Sequence, residues 1–237
     1  MEVDTLTIRR RVGIHPAASA WQAGAMDDAR LISRTAANRR LFADVLDELG
    51  EAHAHDATLC AGWDVRTLAG HQLQPVHVPS WRFLLTAARQ RSMARACDVH
   101  AVRLGDRPLA EIAAELRERA TDGSRPWFIG RAGPFTDSCI HLRDLAEPQG
   151  LDVTVPIEDW RTALEIIVSP RGRASFLPVE GLLDGLRWAA TDVAWVHGEG
   201  SAVTGSAEAL AMVMSGRSGY LDRIRGEGLA VLRARLE

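Results

Sequence analysis

Between residues 28 and 49, Leu31, Ile32, Leu41, Phe42, Val45, Leu46 and Leu49 return at the spacing of one helix face, and Gly50 stops the run. A helix with one apolar stripe cannot bury that stripe alone. The segment therefore obliges the chain to supply further amphipathic elements to pack on it. Arg34, Arg39, Arg40 and Asp44 fall between the apolar positions and read as a solvated face.

Partners for this helix follow in order. Asp64 is a good N-cap for a second helix carrying Val65, Leu68, Ala69 and Leu73. Pro75 and Pro79 must kink or interrupt it, since each removes a backbone donor, and residues 81–91 resume the pattern. A third helix is predicted over 107–121, capped by Asp106, with Pro108 in its first turn and Leu109, Ile112, Ala113 and Leu116 on one face. Gly133-Pro134 opens a fourth, which ends before Pro148.

The last third changes character. Residues 157–168 and 179–190 read as helices. Residues 191–197 alternate like a strand, Gly198-Glu199-Gly200 turns, and 201–204 returns as its partner. Ser206 caps a further helix ending at Gly216. The fold class predicted is mainly α: a four-helix bundle over 26–150 followed by a small α+β region over 151–237. Residues 1–25 lack a sustained period and precede Met26, so they read as a tail or an upstream start.

With 237 residues, such a chain buries a large core without staples. Its net charge of -3 gives no reason to expect a nucleic-acid partner. The Arg9-Arg10-Arg11 cluster is followed by Pro16 and small residues rather than the apolar run of a targeting peptide, and no stretch reaches the length of a membrane span. Three cysteines are too few, and odd in number, for a disulfide framework, which points to a reducing, cytoplasmic setting.

The chemistry-bearing residues gather on the second and fourth helices. Asp137 and His141 are four apart, so both project from one face, one turn above the other. With His71 from a facing helix, they form a set of three metal ligands that leaves a position for water or substrate. Asp144 lies on nearly the same face, placed to accept from an imidazole behind the ligands. Spacing alone leaves this open, because such an Asp–His pair is more often a local hydrogen bond.

Competing pairs are weaker. Cys97 and His100 are three apart but have no further ligand, His53 and His55 lie in a polar loop, and His77 stands between prolines. Cys139 is about 200 degrees around the helix from His141 and reads as a small buried hydrophobe. Trp63, Trp81, Trp127, Trp160, Trp188 and Trp195 read as core or interface aromatics. The chain has no Gly-rich phosphate loop, G-x-S-x-G elbow or C-x-x-C pair.

Three segments carry a family resemblance: TLCAGWDVRTLAGH at 58–71, DSCIHLRDL at 137–145, and WAATDVAWVHGEG at 188–200 with VTGSAEAL at 203–210 and Gly216-Arg217. In this order they resemble the mycothiol-dependent maleylpyruvate isomerase family, a branch of the DinB-like superfamily. The resemblance implies a DinB-like bundle and a divalent metal held by His71, Asp137 and His141, zinc first, with nickel or manganese as alternatives. It also implies mycothiol as thiol cofactor and a small-molecule electrophile as substrate. Arg217, with Arg187 as a second candidate, would bind a substrate carboxylate, against the plainer reading of exposed arginines. Two departures stand out: the acidic ligand is Glu in the isomerase and Asp137 here, and Glu147-Pro148-Gln149-Gly150 replaces a basic residue before Pro-Leu-Gly. The implied activity is isomerase or thiol transferase. Alternatives are a metal-dependent hydrolase without thiol, a non-catalytic metal-binding regulatory module, or a bundle whose histidines are simply buried.

Overall fold

A computed structural model describes residues 27–122 and 129–236. The tail predicted at 1–25 and Trp127 lie outside these described residues. Helix α1, Asp28–Leu49, opens where the Asp27 carboxylate accepts the Arg30 N–H at 2.7 Å. It buries Leu31, Phe42, Val45 and Leu46, as its period requires. Arg39 corrects the reading of a solvated face. It is buried, and its guanidinium donates to the carbonyls of Ala120 and Asp122, in the turn that follows the helix over Leu109–Glu118. Burial lowers its pKa to about 10 against the pull of nearby carboxylates. Arg34 pairs with buried Asp159 at 2.7 Å, while Arg40 and Asp44 are exposed.

Helix α2, Val65–His77, starts at Asp64, whose side chain accepts the Thr67 N–H at 2.8 Å. It runs through Pro75, because the lost donor falls in the last turn, and ends at Val78. Pro79 precedes α3, Ser80–Gln90, which buries only Ala87 and leaves Trp81, Leu84 and Leu85 exposed. Trp81 is thus no core aromatic in the described chain, whereas Trp160, Trp188 and Trp195 are buried.

Helix α4, Met93–Gly105, has no counterpart in the sequence reading, because its buried face is Ala96, His100, Ala101, Leu104 and Gly105 rather than a row of large apolar residues. Asp106 closes α4, its N–H meeting the Val102 carbonyl at 3.1 Å, instead of capping the next helix. Helix α5, Leu109–Glu118, has no side-chain cap of its own; Glu51 accepts the Leu109 N–H at 2.9 Å. Helix α6, Ala132–Ala146, completes the bundle. Helix α1 packs on α5 and α6, and α2 on α4, α5 and α6. The α2–α4 crossing is close because both sides are glycine: a Cβ on Gly70 would collide with the Ala101 carbonyl and the Gly105 backbone, and one on Gly105 with the Arg66 carbonyl.

The chain then forms α7, Ile157–Ile167, and a short α8, Pro170–Phe176, capped by Ser169. The helix expected at 179–190 is absent. Gly181 and Gly185, at φ +75° and +67°, break it, and Leu186–Ala190 forms strand β1 with Leu186 and Trp188 buried and Arg187 exposed between them. Strand β2 is only Val196–His197 and β3 is Ser201–Gly205. The two do not form the expected hairpin. The order is β2-β1-β3, with β1 antiparallel to β2 and parallel to β3, Trp188 lying opposite His197 and Val203. Helix α9, Ala207–Met214, is capped by Ser206 as expected, and a 3-10 turn, Ser218–Arg223, leads to α10, Leu229–Leu236. The fold is mainly α with a small sheet near its C-terminal end. Helix α7 packs on both α6 and α9, and one contiguous apolar cluster runs from Leu31 to Leu232. Among the described residues no helix is long and apolar enough to cross a membrane.

Candidate metal centre

Helix α6 is buried on most sides, so its polar face points into the bundle rather than to water. From it Asp137 and His141 project toward α2, where His71 follows directly on the Gly70 crossing. His71 Nε2 lies 3.3 Å and His141 Nε2 3.2 Å from the same atom, Asp137 Oδ1. The imidazole rings meet edge to face at 4.7 Å, and the donor atoms of all three residues lie within 4.8 Å of one another. Gln72 Nε2 donates to the other Asp137 oxygen at 2.9 Å. The Trp63 ring lies 4.9 Å from His71 and stacks at 6.2 Å on His141, its indole N–H donating to Asp98 at 3.2 Å.

Each imidazole is also held from behind. His141 Nδ1 faces Asp144 Oδ2 at 2.8 Å, and Asp144 is wholly buried. Arg217 closes on that carboxylate, with Nε donating to Oδ1 at 2.9 Å and Nη2 to Oδ2. Its Nη1 donates to the Ser215 carbonyl at 2.6 Å and its Nη2 also reaches Cys60 Sγ at 3.4 Å. The His71 Nδ1 faces Cys97 Sγ at 3.2 Å.

The Asp137 carboxylate favours positive charge on both rings. Burial pulls His71 down, but the Asp137 charge and its hydrogen bonds to Asp137 and Cys97 prevail and raise it to about 9. His141 is likewise opposed by burial and held well above its ordinary value by Asp137 and Asp144. Burial opposes ionisation of Asp137, yet the two histidines keep its carboxyl well below the usual range. The donor set also fits a metal by size. Ligands about 2.0–2.2 Å from a shared divalent ion stand about 2.8–3.6 Å apart at octahedral to tetrahedral angles, and the two histidine–Asp137 separations, 3.3 and 3.2 Å, fall in that interval.

Cys60, His141 and Asp144 form a second cluster of possible ligands. The Arg217 guanidinium already occupies both Asp144 oxygens there, so a cation would meet a fixed positive charge. Of the two clusters, the His71–Asp137–His141 set is the candidate that keeps no fixed cation beside it among the described residues.

The remaining candidates fall elsewhere. His53 pairs with Asp56 at 2.7 Å, His55 with Asp64 at 2.8 Å and His77 with Glu115 at 2.9 Å, all part-exposed. His100 is buried against Thr86 at 3.0 Å and stacks on Phe83. Cys139 is buried beside Asn38, and burial pushes its thiol up. Arg187 is exposed on β1, whereas Arg217 has every guanidinium nitrogen engaged and presents no open fork. Sequence reasoning missed Gln72, Trp63 and Cys97 as neighbours of the centre. Trp63 stands in the segment before His71 and had a signal there. Cys97 had none, because its place depends on how closely α4 approaches α2.

No family model matches this sequence, and no curated protein matches it significantly. Solved structures do match. The crystal structure of the mycothiol-dependent maleylpyruvate isomerase superposes with a TM-score of 0.52 at 16% identity, covering 85% of this chain and 93% of that one. A histidine-to-alanine mutant of the same enzyme gives 0.53 at 14% identity with the same coverage. At those identities the likeness is one of fold, and it spans bundle and C-terminal region alike.

Proposed function

We propose that this chain is a divalent-metal enzyme, with zinc its first metal and nickel or manganese the alternatives, that uses mycothiol on a small electrophile as an isomerase or thiol transferase. One observation carries the reading: the donors of His71, Asp137 and His141 meet at metal-ligand separations inside a bundle shaped like that of a mycothiol-dependent enzyme. The bundle supplies all three ligands, and the region after residue 150 supplies Arg217.

When bound, the metal would polarise an oxygen or hold a thiol as its thiolate. The chain's own residues prepare the site for it. Asp144 accepts the Nδ1 proton of His141, which leaves Nε2 as the free donor. Gln72 fixes Asp137 through one oxygen and leaves the other to the centre. Trp63 covers both imidazoles on one side and keeps water from that face. Arg217 acts here as a positioning residue through Asp144; to hold a substrate carboxylate it would have to give up part of that fork. The free thiols of Cys60, Cys97 and Cys139 suit a reducing cytoplasm.

The test is elemental analysis of protein purified without chelator, alongside His71→Ala and His141→Ala. About one divalent ion per chain, lost in both variants, is expected. Thiol-dependent turnover of electrophiles by the loaded protein then follows. Turnover without any thiol would favour hydrolysis, and a loaded protein with no turnover a regulatory module. Wild type that takes up neither zinc, nickel nor manganese would sink the proposal.

A further inference from the structure

The centre is not symmetric from behind. For His71 to offer Nε2 to a metal, its proton must sit on Nδ1, and something must accept it there. The group in place is a thiol: Cys97 Sγ stands 3.2 Å from His71 Nδ1. That thiol has a fixed direction. Its S–H points at Gln74 Oε1, 3.5 Å away, and Gln74 Nε2 donates to the Cys97 carbonyl at 2.6 Å. Gln74 is buried and lies one turn beyond His71 on the same helix, so Cys97 is clamped to α2 through both its side chain and its backbone.

We infer that Cys97 is the positioning residue for His71: its sulfur accepts the Nδ1–H of His71, selects the tautomer and aims Nε2 at the ion. This rests on the metal reading above. Sulfur is a weaker acceptor than a carboxylate, so His71 is oriented without the added charge that Asp144 brings to His141. Neither the spacing of Cys97 nor its exposure suggests a ligand; its role follows from where the Gly70–Gly105 crossing puts it.

The experiment compares the full-length wild type with Cys97→Ala and Cys97→Ser, and with Cys139→Ala as a buried-thiol control. Zinc affinity is measured by competition with a chromophoric chelator, and the tautomer of His71 is read from histidine nitrogen spectra of the zinc-loaded protein. The expected result is an Nδ1–H His71 in wild type and a zinc affinity about 10–100-fold lower in Cys97→Ala. Cys97→Ser, which restores an acceptor in less volume, should recover most of it, and Cys139→Ala should match wild type. Equal losses in Ala and Ser would mean that only packing matters and would overturn the inference; so would wild-type affinity in both. If Cys97→Ala does not fold, the Ser variant and the wild-type tautomer decide, an Nε2–H His71 counting against. Metal-free wild type removes the metal reading and this inference with it, whereas metal-loaded wild type with indifferent Cys97 variants removes the inference alone.

Discussion

The two flanks of the centre hold equivalent rings by opposite means. Both histidines approach one Asp137 oxygen, at 3.3 and 3.2 Å. Behind His141 stands a buried carboxylate locked to an arginine from beyond α9. Behind His71 stands a cysteine sulfur held by an amide of the same helix. The His141 flank is charged and spans two parts of the chain, so it is costly to disturb and depends on the C-terminal region being docked. The His71 flank is local, and truncating it leaves no charge unpaired. One ring is fixed firmly by the tertiary structure; the other is tuned within a helix pair.

The largest test of this contrast is Asp144→Ala, which strands Arg217 and the His141 Nδ1 in a buried site. It should cost about 3–5 kcal/mol in urea unfolding, and a loss of under about 1 kcal/mol would erase the distinction between the flanks. Next come the two limbs of stability against pH in metal-free protein. Burial raises Asp144, but His141 and Arg217 outweigh it and keep its pKa below the ordinary 3.8. Its contribution is therefore fully present above that value and is lost as pH falls through the lower folded one. His71 is raised, so its contribution is fully present below 6.5 and lost as pH climbs through about 9. Asp144→Asn should reduce the acid limb more than the alkaline one and His71→Gln the reverse, because Asp144 also supports His141 and His71 also supports Asp137, followed by urea titrations across pH. A single variant flattening both would show the flanks to be one network.

A smaller effect is expected where the flanks meet. Gln72→Leu frees one Asp137 oxygen and should weaken zinc binding about tenfold, by chelator competition, with both rings still in place. The smallest concerns docking. Tyr220, three residues beyond Arg217, donates to Glu147 and to Glu208, the latter at 3.2 Å. Tyr220→Phe should cost about 1 kcal/mol and loosen the His141 flank but not the His71 flank, which amide exchange at the two helices would resolve.

What could be read ahead of the structure follows the size of the side chains involved. Helix α1 was legible because Phe42, Val45 and Leu46 are large and periodic; α4 was not, because Ala96, Ala101 and Gly105 leave no apolar rhythm. β1 passed for helix because the glycines that break it precede a short alternation, and pairing across a sheet leaves no local trace. At the centre, the shared face of Asp137 and His141 was legible from their spacing, while His71 on a facing helix was only an open candidate until the family resemblance favoured it. The burial of Arg39 and the closing of Arg217 on Asp144 depend on distant carbonyls and carboxylates that no local pattern announces.

The α2–α4 crossing ties these observations to inheritance. Gly70 and Gly105 carry no functional group, yet together they set how near the Cys97 thiol comes to the His71 ring. A methyl group at either position would wedge the helices apart and withdraw that acceptor while every ligand stayed intact. If the proposed metal reading holds, descendants of this chain that keep His71, Asp137 and His141 but lose either glycine would carry the full donor set and still hold an ion poorly. Lineages can thus part in metal retention through positions where no chemistry is written.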